Sequence, residues 1–198
     1  MVGSAVIVLL AAGEGRRFGS VKQLADIHGE PMVRRSARHA IDSGAPVIVV
    51  TGADAKRVEE ALAGLSVHVV RNAAWEDGMG RSLAVGIAEL QRCFPHATGA
   101  LLCLADQPMI EKALFDELFA RHRASGDSIL ACEHAGVTGP PVLFPHDCFQ
   151  TLVNWSGVDG ARALLEREAA RVERFSNRGG IDVDTQEDLQ RVRSASCI

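Results

Sequence analysis

The sequence predicts an α/β protein with a mainly parallel sheet and helices on both of its faces. Three observations carry this. Short apolar, β-branched runs recur along the 198 residues. Helix-like stretches separate them, and the first run feeds a glycine-rich turn.

The first run, Ala5 to Leu10, has the length and branching of a buried strand. Pro31 suits the first turn of a helix that runs to about Ser43 and stops at Gly44. Val47–Val50 reads as the second strand, and Asp54 as the N-cap of a helix ending before Gly64. Val67–Val70 is the third strand, followed by a helix from about Gly80 to Gln91. Ala100–Ala105 is the fourth strand, residues 112–124 a helix, and Ser128–Cys132 strand-like. Beyond this, Gly139-Pro-Pro141 reads as a loop, Asp159–Glu168 as a helix and Arg171–Phe175 as a strand. Thr185 with Asp188 resembles a capping box that opens a final helix. With no repeat, low-complexity stretch or linker, one domain over residues 1–198 is expected.

Composition narrows the function classes. A net charge of -4, with acidic residues spread along the chain, leaves no basic footprint for nucleic acid. The first apolar run is too short to span a bilayer and lacks a preceding positive region, so neither a membrane span nor a signal peptide is expected. The five cysteines (Cys93, Cys103, Cys132, Cys148, Cys197) form no C-x-x-C pair and read as reduced residues of a cytoplasmic protein. The seven histidines form no metal-binding pair such as H-E-x-x-H.

The turn after the first strand carries Gly13, Gly15 and Gly19 together with Arg16, Arg17 and Lys22. Glycines let the backbone turn tightly and approach a ligand, and the cations add positive charge to the amide donors. The G-x-G-x-x-x-G spacing departs from the dinucleotide fingerprint, and Ser20-Val21-Lys22 departs from the Walker loop. A nucleoside triphosphate is the expected ligand. In parallel sheets ligands bind beyond the carboxyl ends of the strands. There the fourth strand delivers Asp106, which reads as a magnesium ligand beside a triphosphate, or else as a cap for the next helix. Asp182 and Asp184 alternate on an extended segment and could share a metal, or serve only the start of the last helix. The connection Asn72–Ser82, with Trp75, Gly78 and Met79, suits ligand contact, although Trp75 reads equally well as core packing.

In order, the chain carries Leu10-Ala-Ala-Gly13 with Gly15, Arg17, Phe18, Gly19 and Lys22, then Gly29-x-Pro31, then Asn72-x-x-Trp75-x-x-Gly-Met79-x-x-Ser-Leu83. There follow Asp106-Gln-Pro108, Gly139-x-Pro141-x-Leu-Phe144, Asp159-Gly-Ala-Arg162 and Asp182-x-Asp184-Thr185-x-Glu-Asp-Leu189. In these pieces the chain resembles the MobA-like nucleotidyltransferases, and within them the molybdenum cofactor cytidylyltransferases. The resemblance implies a Rossmann-like, three-layer nucleotidyltransferase fold of the GT-A-like layout. It implies nucleotide binding by Leu10, Ala11, Ala12, Gly13, Gly15, Arg17, Lys22, Asn72 and Ser82. It places Trp75, Gly78, Met79, Gln107, Pro108, Gly139, Pro141, Asp159 and Arg162 on the substrate side. Arg17, Lys22 and Asp106 would be catalytic, and Asp106, Asp184 and Asp182 would hold Mg²⁺.

Leu-Ala-Ala-Gly resembles the CTP-using members, so the resemblance implies CMP transfer to molybdopterin and delivery of the product to a molybdoenzyme. GTP, another phosphorylated acceptor, or a non-catalytic carrier of a pterin nucleotide are the alternatives. Gln186 replaces a usual proline, and Ser156-Gly-Val-Asp159 a common Gly-Asp-x-Gly start. A phosphate monoester is already anionic at neutral pH and needs no general base, in keeping with the lack of a Ser/His/Asp or Cys/His arrangement.

Overall fold

The computed structural model describes residues 4–134, 136–155, 160–176 and 180–195. In chain order the elements are β1 (Ala5–Ala11), β2 (Asp26–Ile27), β3 (Glu30–Pro31), α1 (Met32–Asp42), β4 (Val47–Thr51), α2 (Ala55–Ala61), β5 (His68–Arg71) and α3 (Met79–Cys93). They continue with β6 (Gly99–Leu104), α4 (Lys112–Ala124), β7 (Ile129–His134), β8 (Val137–Pro145), α5 (Phe149–Val153), α6 (Arg162–Arg167), β9 (Val172–Ser176) and α7 (Gln186–Ala195).

All seven residues of β1 are buried. A strand with no polar face belongs in the middle of a sheet covered on both sides. β1 lies there, parallel to β4 on one side and β6 on the other, within a seven-stranded sheet of order β5-β4-β1-β6-β8-β7-β9. Within this sheet only β8 runs antiparallel to its neighbours, β6 and β7; β2 and β3 form a separate antiparallel pair. The pleat sends Val6, Val8 and Leu10 into one core with Leu83, Ile87 and Leu90 of α3. It sends Ile7, Leu9 and Ala11 into another, with Val33 and Ala37 of α1 and Leu118 of α4. The result is three layers with a mostly parallel, Rossmann-like sheet in the middle. Gly86 lets α3 lie close on the sheet, because a Cβ there would stand 2.5 Å from Val8 Cγ1.

Three expectations need correction. Gly139-Pro-Pro141 is part of β8 rather than a loop. In the register Gly139 faces Cys132 and Val142 faces Ala131, so Pro140 and Pro141 bulge out between paired residues. A bulge is where a sheet tolerates residues that have no N–H. Asp54 stands at the start of α2 but does not cap it: its backbone is left-handed at φ 51, and its side chain makes no cap hydrogen bond. Finally, α6 begins at Arg162, and Asp159 lies outside the described residues. The capping box on α7 is present, with Asp188 N donating to Thr185 Oγ1 at 3.2 Å and Thr185 N donating to Asp188 Oδ2 at 2.8 Å. Among the described residues no helix is long and apolar enough to cross a membrane.

Candidate active site

Beyond the carboxyl end of β1 the chain turns through Gly13 and Gly15 into two short 3-10 turns, Arg16–Phe18 and Lys22–Leu24. Gly15 is required twice over. Its φ is 69, and a Cβ there would meet Lys22 Cβ at 2.8 Å. A Cβ on Gly13 would touch nothing within 4 Å, so that edge of the turn faces open space. Buried Gln23 braces the turn from behind, donating through Nε2 to the carbonyls of Gly13 and Ala11.

Lys22 Nζ donates to Asp106 Oδ2 at 2.7 Å and to Asp184 Oδ1 at 2.9 Å. The Arg17 guanidinium reaches the other Asp184 oxygen at 2.7 Å. Burial pulls the Lys22 ammonium down, but Asp106 and Asp184 outweigh it, so its pKa is raised and it stays charged. Burial first, and the charge of Asp106 second, push the Asp182 carboxyl upward. Gln107 Nε2 donates to Asp182 Oδ1 at 2.9 Å.

Two elements far apart in the chain meet here for a simple reason. Asp106 follows β6, which pairs with β1, so sheet register brings it beside the glycine turn. The Asp182-Val183-Asp184 segment is held by Val183, which is fully buried with Phe18, Leu189 and Val192. Alternation along an extended segment turns both flanking carboxylates to the side opposite Val183. Val183 N also donates to Asp106 O at 2.9 Å. Gln186, at the unusual position, donates to Phe18 O at 3.3 Å and so ties α7 to the turn.

The donors present suit a divalent cation. Asp106 Oδ1 is buried without a hydrogen-bond partner among the described residues, although an uncompensated buried carboxylate oxygen is costly. Carboxylates alone make a hard oxygen set, the kind that selects Mg²⁺ or Mn²⁺ over thiophilic metals. Asp106, Asp184 and Asp182 are the residues that could hold the ion.

These groups line a cleft of about 530 Å³, within the size range of small-molecule sites. Of the residues expected to contact ligands, Leu10, Ala11, Ala12, Gly13, Gly15, Arg17, Lys22, Trp75, Gly78, Met79, Ser82, Asp106, Asp182 and Asp184 all line it. Others do not. Asn72 is buried and spends its side chain on Ser82 Oγ and Ala74 N, which shapes the connection rather than facing the cleft. Gln107 stands behind Asp182 and also donates to Pro140 O at 3.3 Å. Pro108 is buried, and its carbonyl accepts from Arg35. Gly139 and Pro141 belong to β8, and Arg162 is an exposed residue paired with Glu166 at 3.2 Å. Glu76, within the expected Asn72–Ser82 connection, lines the cleft as well, and Gln23 lines it without having been expected there. The only sequence hint for Gln23 was its place next to Lys22.

The family described as MobA-like NTP transferase domain matches residues 7–172. Nicotine blue oxidoreductase of Paenarthrobacter nicotinovorans is 30% identical over 197 residues, covering 93% of this chain and 94% of that protein. The molybdenum cofactor cytidylyltransferase of Escherichia coli (strain K12) is 24% identical over 92% of each chain. The crystal structure of Rv0371c from Mycobacterium tuberculosis H37Rv aligns with a TM-score of 0.86 at 28% identity, covering 98% of this chain and 99% of its own. A complex of Rv0371C with manganese aligns at 0.81, covering 97% and 99%. With that domain spanning most of the sequence and the fold matched from end to end, the protein is a nucleotidyltransferase of the MobA-like NTP transferase family.

Proposed function

We propose that the protein transfers CMP from CTP to the phosphate of a molybdopterin-type acceptor. An acceptor phosphate oxygen forms a bond to the α-phosphorus, the bridging α–β P–O bond breaks, and pyrophosphate leaves with that electron pair. The observation that carries this reading is the meeting of Lys22, Asp106 and Asp184 at the mouth of the glycine turn.

The acceptor is an anion, so the site has little proton transfer to perform. Its task is to bring two polyanions together and to stabilise charge on the departing pyrophosphate. The open edge at Gly13 gives phosphate oxygens access to the backbone. Lys22 has three N–H donors and spends two on carboxylates, which leaves one for a phosphate oxygen. Arg17 is mostly exposed and can turn from Asp184 onto the same phosphates. Mg²⁺ held by Asp106, Asp184 and Asp182 would add positive charge against the triphosphate oxygens when bound. Trp75 and Met79 form an apolar flank for a base or a pterin ring. The Leu10-Ala-Ala-Gly13 turn favours CTP over GTP. The same reading includes one transferase domain across residues 1–198, a cytoplasmic setting, and a molybdoenzyme that receives the product. The free, buried Cys103, Cys132 and Cys148 are in keeping with a reducing compartment.

Pyrophosphate release, measured with CTP and with GTP in the presence of Mg²⁺ and molybdopterin, tests this. Faster release with CTP is expected, and Asp106→Asn should slow it by about a hundredfold or more. Equal release from the variant would remove Asp106 from the site. The 30% identical oxidoreductase favours a second, redox reading. Two-electron reduction of added nicotine blue at the expense of a reduced nicotinamide dinucleotide, without pyrophosphate release, would establish that reading instead.

A further inference from the structure

The far end of α3 carries a second cluster of metal-binding side chains. Glu89 and Cys93 are four residues apart, on one face of the last turns of α3. His68 opens the edge strand β5 and leans over the same face. Its Nε2 meets Glu89 Oε1 and stands 3.7 Å from Cys93 Sγ, which lies 3.5 Å from the same Glu89 oxygen. One nitrogen, one oxygen and one sulfur therefore converge in a partly buried patch.

These spacings match a tetrahedral ion. Bonds of about 2.3 Å to sulfur and about 2.0–2.2 Å to nitrogen and oxygen set the edges of a tetrahedron at about 3.4–3.6 Å. Two of the three edges are already near that length, and only the His68–Glu89 contact must open. We propose that His68, Glu89 and Cys93 form a zinc site, with water as the fourth ligand on the exposed side of His68. A mixed N, O, S set suits Zn²⁺ and rejects Mg²⁺ and Ca²⁺, which take oxygen ligands.

The neighbours support the assignment. Arg92 grips Glu89, with Nε on Oε2 at 2.9 Å and Nη2 on Oε1 at 2.6 Å, and so fixes the carboxylate. An ionised carboxylate oxygen has two lone pairs, so Oε1 can keep Arg92 on one and turn the other to zinc. Arg92, opposed by partial burial and helped by His68, holds the Glu89 carboxyl down at about 2, so it is ionised and ready to ligate. Cys93 binds as thiolate: the S–H bond breaks, sulfur keeps the electron pair, and the proton goes to solvent. His68 ligates through Nε2 with its proton on Nδ1. The helix rises about 1.5 Å per residue, so this site lies about 20 Å from Met79 at the cleft end of α3. Zinc there would brace edge strand β5 against α3 and take no part in nucleotide chemistry.

Co²⁺ serves as the spectroscopic probe for Zn²⁺, with excess Mg²⁺ keeping the acidic cleft filled. One equivalent of Co²⁺ should give the wild-type protein a sulfur-to-cobalt charge-transfer absorption, and Zn²⁺ should displace it. Cys93→Ser should abolish the absorption, and His68→Ala, at a half-buried position, should weaken binding by about tenfold or more. Zn²⁺ should raise the melting temperature of the wild type but not of Cys93→Ser. No charge-transfer band in the wild type, a band that survives Cys93→Ser, or unchanged affinity in His68→Ala would overturn the proposal.

Discussion

Gly15 shows how a single residue can decide the shape of the turn after β1. Its left-handed backbone and its closeness to Lys22 Cβ act together, so Gly15→Ala should cost about 1–3 kcal/mol and displace Lys22. A urea midpoint with pyrophosphate kinetics checks this; an unchanged midpoint with unchanged KM for CTP would contradict it. At this scale the sequence was legible where a residue's chemistry is unusual for a strand end. Gly13, Gly15, Arg16, Arg17, Lys22 and Asp106, all beyond apolar strands, line one cleft, while Gly19 does not. It was less legible where polar residues serve one another. Asn72 and Gln107 carry groups that a ligand could use, yet each spends them inside the fold, on Ser82 and on Asp182. Which partner a buried amide takes is set by tertiary packing, and sequence spacing does not reveal it.

At the scale of elements, the Asp182–Asp184 segment depends on its anchor. Val183 is the apolar pin between two carboxylates, and α7 is fixed behind it by the Thr185–Asp188 capping box. Val183→Ala should remove about 1–3 kcal/mol through the cavity it leaves. It should also lower kcat more than it raises KM, because Asp184 loses its fixed position. A drop in stability with kinetics unchanged would show that the carboxylates are held some other way. The capping box was readable because its two residues are three apart and bond to each other in both directions. The antiparallel β8 was not, since Gly139-Pro-Pro141 carries the composition of a loop. Only the pairing of flanking residues with β6 and β7 makes it a bulged strand. Apart from the short α5, helices and parallel strands were legible to within a few residues, and burial on both faces writes itself as the apolar runs that mark β1, β4 and β6.

For the molecule as a whole, acid stability is set partly by two histidines that support the layer of α1 and α4. Burial is the first cause that lowers the pKa of both His39 and His122. His39 Nδ1 contacts Ile110 O at 2.9 Å, and His122 is buried with Nδ1 unpartnered among the described residues. A lowered native pKa means the unfolded chain binds more protons, so stability rises with pH in that window. The melting temperature should therefore be flat above about pH 7 and fall below the ordinary histidine pKa of about 6.5. His122→Gln should flatten part of that fall, and an equal slope in the variant would exclude His122 as a source. The layer order was legible from the alternation of strands and helices. The meeting of the chain's two ends was not, because Val183 reaches Asp106 and Gln186 reaches Phe18 only after the sheet has formed.

The convergence of the glycine turn with Asp106 and Asp184 is tested most directly by Mn²⁺ binding, followed by paramagnetic resonance with and without CTP. The wild type should bind Mn²⁺ more tightly when CTP is present, and CTP more tightly when Mn²⁺ is present, since linked ligands strengthen one another equally. Asp106→Asn should lose that mutual effect while keeping its melting temperature to within a few degrees. Undiminished coupling in a folded Asp106→Asn protein would mean that the ion and the triphosphate meet somewhere other than this cleft.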